Sequence, residues 1–254
     1  MPRLAPSSGE QVFTIPGTGN FQFSAARIEN LGATEYTLVT IALDTSGSVE
    51  SFKNDLQKFV NTVIESCRKS PRANNLMIRF ITFNHNVHEI HGFKELSSLD
   101  PSQYKIPMPD GWTALFAATY DSVGATLTYA EHLIKQDFLA NGCVYIITDG
   151  MNNKGGATES MIAQLMQDAT NAEKIESLIT ILIGLHDPTS GYSQEVTQAL
   201  QSFKKNANIT EFVDVGAATP QRLAKLAGFV SQSISSTSQV LGSGAPSQPP
   251  SVVF

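Results

Sequence analysis

No run of about 18 apolar residues occurs, so the sequence offers no helix able to cross a bilayer. Its first residues, MPRLAPSSGEQ, lack the apolar core of a secretory leader. The compartment expected from these absences is the cytoplasm, with no membrane partner. Charge is scarce at 16%, and positive charge is scarcer than negative: 17 Lys and Arg against 23 Asp and Glu, a net charge of −6. That deficit argues against a basic nucleic-acid-binding surface, so no nucleic-acid partner is expected. Only two cysteines occur, Cys67 and Cys143. They cannot form a disulfide framework, and no CxxC pair offers a zinc site. Both sit among apolar residues and read as buried free thiols. GxxxxGK[ST] is absent, which removes a P-loop ATPase, and so is the GxSxG of a nucleophile elbow.

What is present suits a globular domain. Hydrophobic residues make up 41% of 254, and a chain of this size buries roughly 70–75% of its unfolded surface. Short apolar runs alternate with longer helical patterns. Strands are expected at Thr37–Leu43, Leu76–Phe83, Val87–Phe93 (edge-like, after a turn at Asn84-His85-Asn86), Cys143–Thr148, Leu178–Gly184 and Thr210–Asp214. Three-and-four spacing of apolar residues predicts helices over Val49–Cys67, Leu115–Lys135, Thr158–Ile175 and Ser193–Lys205. Pro220–Ile234 completes the set, with Pro220 at a first helical position. Wholly apolar strands separated by helices imply a mostly parallel sheet with helices on both faces, a doubly wound α/β domain over residues 37–236. Residues 1–36 form an N-terminal extension, where VFTI and FQFSA flank PGTGN and predict a short appended hairpin. Residues 237–254 read as a flexible Ser/Pro/Gly tail ending in Val252-Val253-Phe254. That tail is either a docking peptide or an inert terminus.

In a doubly wound sheet, ligands bind beyond the C-terminal strand ends. One such end runs into Asp44-Thr45-Ser46-Gly47-Ser48 and another into Thr148-Asp149-Gly150. Between them, Asp110-Gly111-Trp112-Thr113-Ala114-Leu115 precedes a helix. Together the three loops supply two carboxylates and three hydroxyls: Asp44, Asp149, Ser46, Ser48 and Thr113. These are hard oxygen donors of the kind that suit Mg²⁺, with Mn²⁺ or Ca²⁺ accepted by the same atoms. Two carboxylates balance a divalent charge and leave a position for an incoming carboxylate. Gly47 is expected to permit the tight turn between the two serines.

These three segments resemble the metal-ion-dependent adhesion site of von Willebrand factor A domains. DxSxS matches at Asp44, Ser46 and Ser48, the distal threonine at Thr113 and the distal aspartate at Asp149. The likeness covers about 200 of the 254 residues. It implies a divalent cation, with Mg²⁺ first, held by Asp44, Ser46, Ser48, Thr113 and Asp149. It also implies a protein partner whose Glu or Asp carboxylate completes the shell, and binding rather than catalysis. The intracellular microbial branch of the family suggests work beside a MoxR-type AAA+ ATPase or in a tellurium-resistance system.

Rival readings of the same residues are a metal-dependent hydrolase, a structural assembly protein with an empty site, and a turn-capping cluster without metal. A hydrolase requires a general base, for which Asp110 is the nearby candidate, although Asp110-Gly111 also reads as a turn. A haloacid-dehalogenase phosphatase requires DxD, but Ser46 stands at its second carboxylate position. His85, His88 and His91 tempt a zinc reading, but side chains alternate along a strand, so exposed edge-strand histidines are expected. His132 and His186 have no ligand-like neighbours. Trp112 is either a partner-facing rim residue or packs beneath its loop. Asn152 to Gly156 form either a partner surface or a plain connector.

Overall fold

The computed structural model describes residues 9–17, 21–171, 174–185, 191–243 and 248–251. His186, Ala172 and the apolar Val252–Phe254 lie outside the described residues. Among those described, the strands in chain order are β1 (Glu10–Thr14), β2 (Gln22–Ala26), β3 (Glu35–Asp44), β4 (Leu76–Phe83), β5 (Val87–Glu95), β6 (Leu139–Thr148), β7 (Leu178–Leu185) and β8 (Glu211–Gly216). The α-helices are α1 (Lys53–Arg68), α2 (Leu115–Ile134), α3 (Glu159–Asn171), α4 (Ser193–Asn206) and α5 (Pro220–Val240).

The strands form one sheet in the order β1-β2-β5-β4-β3-β6-β7-β8. β4, β3, β6, β7 and β8 run parallel, with β5 antiparallel to β4. Every residue of β4 is buried, as expected for strands covered on both faces. One face of the sheet packs on α1 and α5 around Val39, Ile41, Phe59, Val63 and Leu226. The other packs on α2, α3 and α4 around Leu38, Ala42, Val123, Ile162 and Leu200. The architecture is the expected doubly wound α/β sheet. Among the described residues, no helix is long and apolar enough to cross a membrane. Cys67 and Cys143 are buried free thiols.

Some boundaries differ from the sequence expectations. β5 is not an edge strand. The expected N-terminal hairpin forms, with β1 antiparallel to β2, and β2 joins β5 through the parallel pair Ala25↔Phe93. The hairpin therefore extends the sheet rather than being appended to it. It also covers the outer side of α2, where Phe13 packs on Tyr129 and the Tyr129 hydroxyl donates to Ala26 O at 2.8 Å. That double cover explains why α2 is buried along most of its length. α3 does not reach Ile175, since residues 174–177 are non-helical. α5 runs two turns beyond Ile234, so residues 237–240, assigned to the tail by composition, are helical. Three of its hydroxyl residues pack inward: Ser233, Thr237 and Ser238 are buried, and Asn141 Nδ2 donates to Thr237 O at 2.7 Å.

From β3 the chain crosses by α1 to β4 on one side, and returns through α2 to β6 on the other. The connection reverses at β3 and β6, and a crevice opens there beyond their C-terminal ends.

Candidate functional site

Register builds the centre of this crevice. β3 pairs with β6 through Leu43↔Ile147, which sets Asp44 level with Thr148. Thr148 Oγ1 donates to Asp44 Oδ2 at 2.6 Å. The other carboxylate oxygen, Asp44 Oδ1, accepts the Ser46 amide at 2.8 Å. Asp44 is buried, and burial pushes its carboxyl up despite the hydrogen bonds from Thr148 and Ser46.

After β3 the chain turns at Ser46, which is extended at φ −65°, ψ 167°, and enters a 3₁₀ turn over Gly47–Phe52 that leads into α1. Gly47 does not adopt a left-handed conformation, and a Cβ there would meet only ordinary contacts. The turn therefore does not depend on glycine at that position, contrary to expectation. Ser46 sits at the N-cap position, yet its hydroxyl makes no capping bond. It lies 3.2 Å from Ser48 Oγ instead, and Ser48 Oγ donates to Asp149 Oδ1 at 2.9 Å. This chain of oxygens climbs from buried Asp44 and Ser46 to half-buried Asp149 and exposed Ser48. Burial and the neighbouring Asp44 charge push Asp149 up to about 7, against the Ser48 hydrogen bond.

The third loop is tied to the first by its backbone. Asp110 N–H donates to Thr45 O at 3.0 Å, and Gly47 N–H to Gly111 O at 3.3 Å. Gly111 has φ +74°, and a Cβ there would approach His85 Nδ1 at 2.5 Å, so this position does need glycine. Thr113 is buried at the entrance to α2. Its amide donates to Asn153 Oδ1 at 2.6 Å, and Asn153 N–H returns to Thr113 O at 3.1 Å. Asn152 Oδ1 accepts from Phe116 N–H at 3.1 Å. The Asn152-Asn153 stretch thus clamps the start of α2 to the end of β6. Sequence reasoning missed this clamp and the Thr148 bond. Their signal was the density of Thr, Asp and Asn just past a strand end. Trp112 is 63% exposed, so it stands on the rim rather than beneath the loop.

The five expected positions therefore lie on three loops knitted together at one crevice, with direct side-chain contacts joining Asp44, Ser46, Ser48 and Asp149. Two mutually repelling carboxylates, neither ion-paired to a Lys, Arg or His among the described residues, and hydroxyls not used for capping are chemically fitted to a small hard cation. Of the histidines, His85 lies against Gly111 in the third loop. His91 is not exposed as expected: it is buried, with Nε2 2.7 Å from the Tyr104 hydroxyl and Nδ1 2.8 Å from Gly92 O. Among the described residues, no three His, Cys, Asp or Glu side chains cluster as a metal site.

No protein-family model matches the chain, and no curated protein matches it. Solved structures do share its fold. The D319A mutant of the PilB minor pilin from Streptococcus sanguinis aligns with TM-score 0.58 and 13% identity, over 85% of this chain and 65% of that one. The pilus adhesin SpaC from Lactobacillus rhamnosus GG aligns with TM-score 0.54 and 11% identity, over 85% of this chain and 32% of that one. Proximal thread matrix protein 1 from the mussel byssus aligns with TM-score 0.50 and 14% identity, over 81% of this chain and 47% of that one. The chain thus spans less than two thirds of the length of each of these proteins. The fold is of the von Willebrand factor A/Rossmann-like class.

Proposed function

We propose that the protein is a divalent-cation-dependent protein-binding module, not an enzyme. Asp44, Ser46, Ser48, Thr113 and Asp149 would hold the cation, directly or through water, and a Glu or Asp of a protein partner would complete its shell. Mg²⁺ is the ion preferred by this donor set. When bound, it supplies a positive centre that attracts a carboxylate. The chain's own residues fix the donors: Thr148 orients Asp44, and Asn153 holds the Thr113 segment against β6. The observation that carries the reading is the Ser48 Oγ–Asp149 Oδ1 contact at 2.9 Å, which joins positions 101 residues apart near buried Asp44. Two structural neighbours are named as pilus proteins, one of them an adhesin, and that is in keeping with a module for attachment.

The test is titration of Mg²⁺ or Mn²⁺ into wild type, Asp44→Ala and Asp149→Ala by calorimetry, with circular dichroism as the fold control. Saturable binding by wild type, weakened at least about tenfold in folded variants, supports the proposal. Absence of binding by folded wild type at millimolar metal sinks it.

A further inference from the structure

Beside the crevice is a cavity of about 510 Å³ that shares its wall with the candidate cation site, since Ser48 and Asp149 line both. Away from those two residues its lining comprises the apolar Phe52, Leu185, Val196, Ala217 and Ala218, with the hydroxyl residues Ser51, Ser193 and Thr219 among them. They come from separate elements: the 3₁₀ turn after β3, the end of β7, the first turns of α4, and the loop from β8 to α5. Leu185 and Val196 belong to the buried core, so this wall is fixed, whereas Ala217 and Ala218 are half-buried and small enough to leave the space open. Among the described lining residues Asp149 alone carries a charge, and it is already bonded to Ser48. The Thr219 hydroxyl is also engaged, as it accepts from Arg222 N–H at 3.3 Å to cap α5.

From this geometry we infer that the cavity is a specificity subsite. It takes an aliphatic side chain adjacent to the acidic residue that a partner offers to the cation. The inference rests on the cation-binding proposal and adds the chemistry of the partner: an acidic residue flanked by Leu, Ile, Val or Met. A charged neighbour would lose its hydration against Phe52, Leu185 and Val196, a cost that the hydroxyls of Ser51 and Ser193 offset only in part. An aliphatic one is matched by the lining, and its attachment beside the carboxylate keeps it within reach of the shared Ser48–Asp149 wall.

Acetate and 4-methylpentanoate test this without a known partner. They carry the same carboxylate and differ by four carbons of aliphatic chain. Each buried methylene strengthens binding about fourfold. Both are titrated with and without Mg²⁺ into protein labelled at its alanine methyls. The NMR shifts of Ala217 and Ala218 are followed in wild type, and that of Ala217 in Ala218→Phe, which fills the cavity from a half-exposed loop. The inference expects Mg²⁺-dependent binding of both acids, with 4-methylpentanoate at least about tenfold tighter and shifting the two alanine methyls. It also expects Ala218→Phe to abolish that advantage while acetate binding is unchanged. Equal affinities in Mg²⁺ would overturn the subsite and leave the cation proposal standing. Binding of 4-methylpentanoate that ignores Mg²⁺ would overturn the link between cavity and cation. Failure of both acids to bind in Mg²⁺ would overturn the carboxylate bridge and the subsite with it.

Discussion

Thr148 Oγ1 donates to Asp44 Oδ2 at 2.6 Å inside a buried strand end, so the hydroxyl both offsets the cost of burying a carboxylate and sets its direction. Thr148→Val keeps the shape and removes the donor. The variant is expected to lose about 1–3 kcal/mol of stability in urea titration, the cost of an unsatisfied buried acceptor. Its Mg²⁺ affinity should fall roughly 10–100-fold, as is typical when a ligand loses its orienting partner. Unchanged affinity would mean that Asp44 does not need Thr148. His91 supports a pH prediction. Burial pushes its imidazole down to about 4, mainly by desolvation and against the Gly92 carbonyl contact. Between pH 6.5 and 4 the unfolded chain takes up a proton that the folded chain refuses. Stability from neutral His91 is therefore complete above about pH 6.5 and falls as pH drops toward 4. The loss over that window should be about 3 kcal/mol relative to His91→Gln, whose site no longer titrates. Parallel stability curves for the two proteins across pH 4–6.5 would contradict this.

Elements were more legible than their borders. β4 formed over Leu76–Phe83 as the apolar run predicted, and the DxSxS, Thr113 and Asp149 segments were placed together because strand-end topology could be read from alternation alone. Arg79 was invisible in that reading, since a lone arginine in LMIRFITF gives no sign of its partners. In the fold it is fully buried, with Nε donating to Glu89 Oε2 at 2.8 Å. Its Nη2 lies 2.8 Å from Asp121 Oδ2, an ion pair whose geometry falls short of a hydrogen bond. Glu89 Oε1 in turn accepts from Ser24 N–H and Ser24 Oγ at 2.8 Å, so this buried network holds β2 against β5. Such a network depends on residues 24, 79, 89 and 121, which no local pattern connects. Gly92 permits the same docking, because a Cβ there would collide with the Ser24 backbone. Gly92→Ala is expected to release the hairpin: amides of β1 and β2 should exchange at least about tenfold faster, while those of β3, β6 and β7 stay protected. Uniform protection across all strands would show that the strand pair yields without undocking.

At the scale of the whole molecule, α5 closes the face opposite the hairpin, and its length was misjudged for a physical reason. Serine and threonine in SQSISSTSQV read as solvated tail, yet Ser233, Thr237 and Ser238 are buried where the helix lies close on α1 and the sheet. Small side chains allow that approach, and composition cannot distinguish it from a linker. Beyond the helix Leu241 is buried, and Gly242 N–H donates to Glu176 Oε1 at 2.9 Å, so packing continues past Val240. A chain ending at Ser243 keeps these contacts, whereas one ending at Ser236 loses them. The shorter chain gives up the burial of Leu241, roughly 1.5–3 kcal/mol. It also leaves Asn141 Nδ2 without the Thr237 carbonyl, a further cost of roughly 1–3 kcal/mol. For a domain of this size each kcal/mol moves Tm by about 2–4 °C. The Ser236 chain should therefore melt roughly 6 °C or more below the Ser243 chain by calorimetry. Equal melting temperatures would place residues 237–243 outside the cooperative unit and return them to the tail that composition proposed. Mg²⁺ affinity separates the effect from the site, since Asn141 lies at the opposite end of β6 from Thr148: both chains should bind the ion equally while they remain folded.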